Sequence, residues 1–345
     1  MALIGDKIEF IQSVATIVDA DTGMLDTFFP GRQYHTTELI EYDTATVEGV
    51  APEYTSFSET ARVIKKDGKD TVRIAPVNFN DALSKETIDA DAAQFGQNVY
   101  GTGTIDPVAQ AALTGIGKHH LNAMVGRKKI AYEVLTTGKI AGGYIGKSGP
   151  EDIVFPIPAA NKEVFDGSTL KYWSNALSTP LTDMYRMWKK MKVRPTAVIM
   201  DDVTYANFYA NAQVLTMDNA TTGDKRNYIV NENVAEGAFF FKAGTVMFMG
   251  MVIAVYVENQ QRKLANGSYT PFMPSGYVSY LSASGELHFG GIPMAGANGV
   301  TRISAEFDVS EIIEQNPPQH LLQYRSAPLP VLKNGEAYGI QKVEA

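Results

Sequence analysis

The stretch Asp106–Gly138, DPVAQAALTGIGKHHLNAMVGRKKIAYEVLTTG, decides the fold of this chain. Asp106 can cap a helix, Pro107 suits the first helical position, and Gly138 suits the position just beyond the end. The predicted helix has about 30 residues and a length of about 45 Å, whereas an average helix has about 11–12 residues. The chain is therefore predicted to be organised around one unusually long helix.

One side of this helix is predicted to be buried. Apolar residues follow helical spacing along it; they are Leu113, Ile116, Met124, Ala131 and Val134. Gly115, Gly117 and Gly126 interrupt the helix, and each glycine weakens a helix by about 1 kcal/mol relative to alanine. These glycines can bend the helix or admit close neighbours, and we expect a kinked helix rather than none.

Shorter helices are predicted on both sides of the long one. A short helical pattern covers Lys7–Val18, near the start of the chain. A helix is predicted over 180–191, since Thr179 can cap it and Pro180 suits its first turn. A further helix is predicted over 203–212, capped by Asp201 or Asp202.

Strand patterns make up most of the remaining chain. The apolar run Val246–Val257 is too short to span a bilayer, which needs about 20 residues, and is predicted to be a buried strand broken at Gly250. Its methionines are interpreted as core filler rather than a metal-binding strip. Residues 321–343 are predicted to form a hairpin that turns at Asn334-Gly335. This mixed order of helices and strands indicates an α+β fold.

A second hairpin is predicted over residues 58–75. Its legs are Thr60–Ile64 and Thr71–Ala75, and the Asp-Gly pair at its tip is a strong turn signal. The residues that we expect to contact a neighbouring subunit are Arg62, Lys65, Lys66, Asp67, Gly68, Lys69 and Arg73. The competing interpretation is an ordinary solvated loop.

Composition excludes several classes of function. The 345 residues carry a net charge of −8, which argues against tight binding of nucleic acid, because such binding needs clustered cations. No cysteine is present, so disulfides, thiolate metal sites and a cysteine nucleophile are excluded. The first ten residues lack the apolar stretch of a signal peptide.

Several motifs suggest chemistry that their surroundings do not support. Residues 141–148 resemble a relaxed nucleotide-binding loop, but a strand pattern follows where a phosphate-binding helix is required. His119 and His120 are adjacent on a helix and point about 100° apart, unlike a helical zinc pair. Asp201-Asp202 is interpreted as a helix cap rather than an acid–base pair. We therefore predict no catalytic residue, no metal site and no cofactor.

Several segments in order resemble the major capsid protein E family of tailed bacteriophages, the lambda type. The resemblance runs from about residue 24 to the C-terminus. The segments are Phe28–Pro30, Thr36–Asp43, Glu133–Lys139, Trp173–Asp183, Asn266–Pro274 and Gln323–Pro330. Each segment is a weak signal alone, whereas their order and spacing make the resemblance fairly specific.

This resemblance implies the tailed-phage capsid fold, also called the Hong Kong 97 type. It assigns residues 1–30 to an N-terminal arm, 50–78 to an extended loop and 106–138 to the spine helix. The peripheral domain would take residues 31–49, 79–174 and the returning strands 284–345, and the axial domain residues 175–283. The implied function is a major capsid protein that self-assembles into the icosahedral shell around double-stranded DNA.

The resemblance also implies partners and a location. The chain would form hexamers and pentamers with itself, would meet scaffold, portal and decoration proteins, and would enclose DNA without reading its sequence or binding a membrane. It would lie in the virion capsid after assembly in the bacterial cytoplasm. The alternatives are a nanocompartment shell of the same fold, a nucleotide-using enzyme based on residues 141–148, and a β-rich virion accessory protein.

Overall fold

The structure, a computed structural model, describes residues 23–45, 69–84, 107–146, 149–218, 228–231, 238–264, 266–282, 284–296, 299–315 and 318–345. The helices are α1 Gly23–Phe28, α2 Pro107–Thr137, α3 Pro180–Lys190, α4 Asp202–Ala210 and α5 Ala212–Asp218. The strands are β1 Gly31–Tyr34, β2 Ile40–Ala45, β3 Lys69–Ile74, β4 Phe79–Ser84, β5 Lys139–Gly146, β6 Gly149–Val154, β7 Lys162–Val164, β8 Ala197–Asp201, β9 Tyr228–Asn231, β10 Phe240–Phe248, β11 Met251–Glu258, β12 Gln261–Lys263, β13 Tyr269–Pro271, β14 Tyr277–Leu281, β15 Glu286–Phe289, β16 Ile292–Gly296, β17 Gly299–Ile303, β18 Asp308–Gln315, β19 Pro318–Ser326, β20 Pro328–Val331 and β21 Tyr338–Lys342.

The long helix is confirmed. Helix α2 has 31 residues, and Gly138 follows it with a φ of +73°, the left-handed conformation that glycine adopts readily. Ile116, Ala131 and Val134 of the predicted stripe are buried. In the described part of the chain, no helix is both long and apolar enough to cross a membrane.

Two glycines of α2 admit side chains of β4. A Cβ atom at Gly126 would lie 2.6 Å from Cζ of Phe79, and one at Gly115 would lie 2.4 Å from Cδ2 of Leu83. Both distances are far below van der Waals contact, so a larger residue at either position would force the side chain of β4 to move. The expected close neighbours are therefore confirmed, and the helix assignment is unbroken across these positions.

A seven-stranded sheet forms the largest layer, in the order β7-β21-β14-β8-β11-β10-β9. Helix α3 covers one face, where Val198 and Met200 of β8 are buried in the cluster that includes Met184 and Met187. Ile199, between them, belongs to the cluster on the other face, which includes the C-terminal half of α2. This alternation follows from the two-residue period of a strand.

Smaller sheets lie around this layer. Strands β1, β15 and β20 form one sheet, and β18, β19 and β4 form another. Four strand pairs complete the described sheets: β2 with β3, β5 with β6, β12 with β13, and β16 with β17. The α+β architecture predicted from the sequence is confirmed.

The predicted hairpin over residues 321–343 is wrong. Strand β20 pairs with β15, whereas β21 lies between β7 and β14 in the seven-stranded sheet. Asn334 does not begin a hairpin turn, because its side chain accepts a hydrogen bond from the backbone N of Glu336 (3.0 Å) and caps a short 3₁₀ helix. Burial of both faces of β21 in the larger sheet outweighs the local turn signal.

The helix predicted over 203–212 and the interpretation of Met249 as core filler need correction. The helix predicted over 203–212 is divided into α4 and α5, because Asn211 has an extended backbone and its side chain donates to Ser178 Oγ (2.9 Å). The break at Gly250 is confirmed, since β10 and β11 form an antiparallel hairpin there. Met249 at the turn is 59% exposed, so it does not fill the core, whereas Met251 is fully buried.

We expect Gly335→Ala to destabilise the protein by at least about 2 kcal/mol, because overpacking against rigid backbone is costly. The new Cβ would lie 1.8 Å from the carbonyl oxygen of Pro156. Urea unfolding provides the measurement. Gly250→Ala is the control, since its Cβ would meet no atom within 4 Å and only its positive φ is strained. Equal losses for the two variants would contradict the packing argument.

Candidate functional site

The described base of the predicted extended loop is the strand pair β2–β3. Ile40 and Tyr42 point inward and are buried, while Glu41 and Arg73 form an outward cross-strand ion pair of 2.8 Å. The hydroxyl of Thr71 donates to Asp43 Oδ1 (3.0 Å) across the same pair. The leg predicted over Thr71–Ala75 therefore pairs with β2, and its predicted partner leg, Thr60–Ile64, lies outside the described residues.

The predicted contact residues divide into two groups. Arg62, Lys65, Lys66, Asp67 and Gly68 lie outside the described residues. Lys69 begins β3 opposite Ala45, and Arg73 is bound to Glu41 of its own chain. Both partners of that ion pair are more than half exposed, so the pair contributes only about 0–1 kcal/mol. Arg73 is thus paired within its own chain, and the contact with a neighbouring subunit stays a prediction.

A pair of histidines lies where β1 ends, beside its sheet neighbour β15. Nε2 of His35 lies 3.0 Å from Nδ1 of His288, and the two rings are stacked. Nε2 of His288 lies 3.1 Å from Oε2 of Glu286, and Lys333 donates to the other carboxylate oxygen, Oε1 (2.6 Å). With both rings neutral, every contact is satisfied when His35 donates to His288 and His288 donates to Glu286.

Burial controls the charge of this joint. Desolvation lowers the pKa of His35, and it lowers the pKa of His288 despite the opposing effect of Glu286. The edge of Tyr42 faces His288, and burial raises the pKa of Tyr42 to about 12. The neutral histidine pair therefore ties β1 and the base of the extended loop to β15.

A buried arginine of α2 faces the same region. Arg127 is 1% exposed; its guanidinium binds the carboxylate of Glu306, donates to Ser326 Oγ (3.1 Å) and lies over the ring of Phe289. The second carboxylate oxygen of Glu306 accepts from Arg32 of β1 (3.2 Å). The long helix and β1 are therefore held by one shared carboxylate.

The next residue of α2 binds the seven-stranded sheet. Nζ of Lys128 lies 2.9 Å from Glu258 Oε2, at the end of β11, and both side chains are almost fully buried. The hydroxyl of Tyr132 donates to the same oxygen (2.5 Å), and the ammonium group lies over the ring of Phe272. Burial raises the pKa of Glu258, although Lys128 opposes the shift. Burying either of these two charges without the other would therefore be unfavourable.

The sequence predicted neither the contact of Arg127 with Glu306 nor that of Lys128 with Glu258. Arg127 and Lys128 interrupt the apolar stripe of α2, between Met124 and Ala131. A charge on a buried helix face needs a partner, so this interruption was the available signal. The partners Glu258 and Glu306 are more than 120 residues away along the chain, and no local pattern identifies them.

The motifs set aside in the sequence have structural roles. Residues 141–146 lie in β5, and β6 follows, so no phosphate-binding helix receives the loop, as predicted. His119 lies 3.4 Å from Asp81, whereas His120 hydrogen-bonds Tyr324, so the two histidines have separate partners. Asp201 caps α4 by accepting from Thr204 N (3.2 Å), which confirms that prediction. Within the described ranges, no three His, Asp or Glu side chains are grouped to hold a metal ion.

Comparison with known proteins decides the family. A sequence model of phage major capsid protein E matches residues 9–338. The chain belongs to this family. No curated protein matches its sequence. The resemblance noted in the sequence is thereby confirmed for nearly the whole of this capsid protein.

Solved structures show that this capsid protein has the Hong Kong 97 type of fold. A candidate capsid protein of a prophage from Escherichia coli CFT073 is 15% identical, with a TM-score of 0.64 over 97% of this chain and 98% of the other. The capsid asymmetric unit of cyanophage A-1(L) is 11% identical, with a TM-score of 0.50 over 94% and 93% of the two chains.

We expect Lys128→Met to destabilise this capsid protein by about 3–5 kcal/mol, because it leaves Glu258 buried without its cation. Adding Glu258→Gln should recover a large part of the loss, since the double variant holds no unpaired charge. Urea unfolding measures both effects. Lys139→Met breaks the exposed pair with Asp152 and should cost at most about 1 kcal/mol; an equal loss in both single variants would refute the buried pair.

Acid should weaken the histidine joint. Because the pKa values of His35 and His288 are lowered on folding, the unfolded chain binds more protons around pH 6.5, and stability falls as the pH drops. Thermal unfolding between pH 7.5 and 5.5 should therefore show a smaller pH dependence in His35→Gln/His288→Gln than in the natural chain. An unchanged dependence in the double variant would contradict this assignment.

Proposed function

We propose that this capsid protein closes into an icosahedral shell that encloses the double-stranded DNA of a tailed bacteriophage. The family match over residues 9–338 carries the proposal, because the family is one of phage shell proteins. Its role is architectural, and we propose no catalytic activity. The net charge of −8 suits a wall that encloses DNA without binding it tightly or reading its sequence.

The two layers of the fold suit the two domains of such a subunit. We assign the seven-stranded sheet and α3–α5 to the axial domain, near the centres of hexamers and pentamers. This assignment adds β7 and β21 to the range 175–283, since both strands pair within that sheet. We assign α2 and the sheets beside it to the peripheral domain, with α2 as the spine helix.

We assign the extended loop, residues 50–78, to the contact that holds neighbouring subunits together. Its described base is an antiparallel pair secured within its own chain by Ile40, Tyr42 and the ion pair between Glu41 and Arg73. A base that needs no neighbour allows the tip to project before assembly. The tip cations Lys65 and Lys66 would then meet acidic groups of the next subunit.

Apolar burial should supply most of the energy of assembly. Exposed ion pairs contribute only about 0–1 kcal/mol each, whereas stable interfaces bury about 1,200–2,000 Å². The charges of the loop tip would therefore orient the subunits, and the buried area would hold them. These small contact energies are repeated at every equivalent contact of the shell.

The partners follow from the same role. We propose that the chain assembles mainly with itself, as hexamers and pentamers, with scaffold, portal and decoration proteins as further partners. Assembly would take place in the host bacterial cytoplasm, and the product is the capsid of the virion.

Shortening the extended loop tests its proposed role. Ala45 and Lys69 are register partners, so replacing residues 46–68 by Asn-Gly should close β2 and β3 with a two-residue hairpin turn. We expect a subunit that folds with an unchanged thermal midpoint but forms no closed shells in negative-stain electron microscopy. The natural chain should form closed shells under the same conditions.

The chain offers a matched control for this variant. Gly146 and Gly149 are register partners in β5 and β6, so Asn-Gly can replace residues 147–148 without changing the length of the chain. Shells should persist in this control. Closed shells of unchanged size from the variant with the shortened loop would refute the proposed contact between subunits. Shells of the natural chain that hold protein instead of DNA would favour the nanocompartment alternative.

A further inference from the structure

Strand β11 is covered completely on only one of its faces. On the face towards α3, Met251, Ile253 and Val255 are buried. On the opposite face, exposure increases along the strand: Glu258 is 1% exposed, Tyr256 and Ala254 are half-buried, and Val252 is 50% exposed. The cover of this face therefore ends part-way along the strand.

Strand β10 continues the same uncovered surface. Thr245 pairs with Ala254, and Met247 pairs with Val252. Residues directly opposite each other in an antiparallel pair lie on the same face, and both β10 residues are half-buried. We call these four residues the β10–β11 strip; three of the four are apolar.

The sheet is mixed, since β11 pairs in parallel with β8 and antiparallel with β10. The strip nevertheless presents three apolar side chains whose burial would be favourable. On the face of the strip, cover begins with α1, where Phe28 packs edge-on against Phe240 (6.0 Å) and Tyr256 (5.2 Å). The strip begins one pair of strand positions beyond this contact.

The chain that precedes α1 has the right pattern to extend this cover. The helix predicted over Lys7–Val18 carries apolar residues at helical spacing on one side, and Gln12, Ser13 and Thr16 on the other. The apolar residues of this side are Ile8, Ile11, Val14, Ala15 and Val18, and Phe10 and Ile17 widen it along one flank. A helix of this length is not stable alone in water, so its apolar side needs a surface.

The dimensions of the two partners agree. Twelve helical residues span about 18 Å, and the four steps from Tyr256 to Val252 span about 14 Å. Only residues 19–22 separate the predicted helix from α1, and they reach at most about 14 Å when extended. A tether this short gives a high effective concentration at the subunit's own sheet.

We propose that the helix predicted over Lys7–Val18 packs on the β10–β11 strip of its own subunit. It continues the layer that α1 begins and completes the second cover of the seven-stranded sheet. This inference goes beyond the shell function, because it locates the start of the chain within a single subunit. The N-terminal arm then belongs to the subunit's own core along most of its length.

Disulfide trapping tests this docking. The natural chain has no cysteine, so only the introduced thiols can react. In Val14→Cys/Val252→Cys, mild oxidation of the purified full-length chain should consume both thiols and give a cross-linked monomer on a non-reducing gel. The matched control is Val14→Cys/Val164→Cys. Val164 is equally apolar and 70% exposed, but it lies on β7 at the opposite edge of the sheet, so its thiols should persist.

Two further substitutions separate docking from random collision. In the first cysteine pair, Ile11→Asp on the apolar side should slow disulfide formation about tenfold, because burying that charge costs more than about 1.4 kcal/mol. Gln12→Asp on the polar side should leave the rate unchanged. Equal rates in these two variants would refute an amphipathic contact.

The remaining outcomes also decide the proposal. No disulfide, or equal yields in the Val252 and Val164 pairs, would overturn it. Cross-linked dimers and higher ladders in place of the monomer would overturn it too, since the segment would then bind a second copy. Electron microscopy of the natural chain tests shell formation separately, so either idea can fail without the other.

Discussion

The fold depends on two adjacent buried cations of one helix that bind different sheets. Arg127 is held by Glu306 and Ser326, whereas Lys128 is held by Glu258 at the end of β11. A buried charge that loses its partner costs about 3–5 kcal/mol, so neither sheet can shift along α2 without a large penalty. The helix is thereby fixed between the seven-stranded sheet and the strands that carry the N-terminal part of the chain.

Glycine reinforces this arrangement on another side of the helix. Gly115 and Gly126 weaken the helix in isolation by about 1 kcal/mol each, yet they allow Leu83 and Phe79 of β4 to approach its backbone. Close packing of a whole strand outweighs that local cost, because many small dispersion contacts add together. A helix that a propensity scale rates poorly is thus a rigid centre of the subunit.

Strand β1 and the residue that follows it are attached to this centre by polar contacts. Arg32 shares Glu306 with the long helix, and His35 shares a hydrogen bond with His288. Such bonds are directional, and they lock one orientation of β1 and of the strand pair that follows.

The sequence alone determined the features that depend on neighbouring residues. Pro107 and Gly138 marked the ends of α2, Asp201 marked the start of α4, and Gly250 marked the turn between β10 and β11, because each residue satisfies a local backbone requirement. The ordered family segments gave the capsid fold as well. None of these features requires knowledge of distant contacts.

Only the tertiary structure decided which distant partners meet. Asn334-Gly335 has the composition of a hairpin turn, yet β20 and β21 enter different sheets, since two buried faces gain more than one local turn. The same reason explains why Glu258 and Glu306, and not nearer carboxylates, hold the cations of α2. Burial is a property of the packed chain, and its energy outweighs local preference wherever the two conflict.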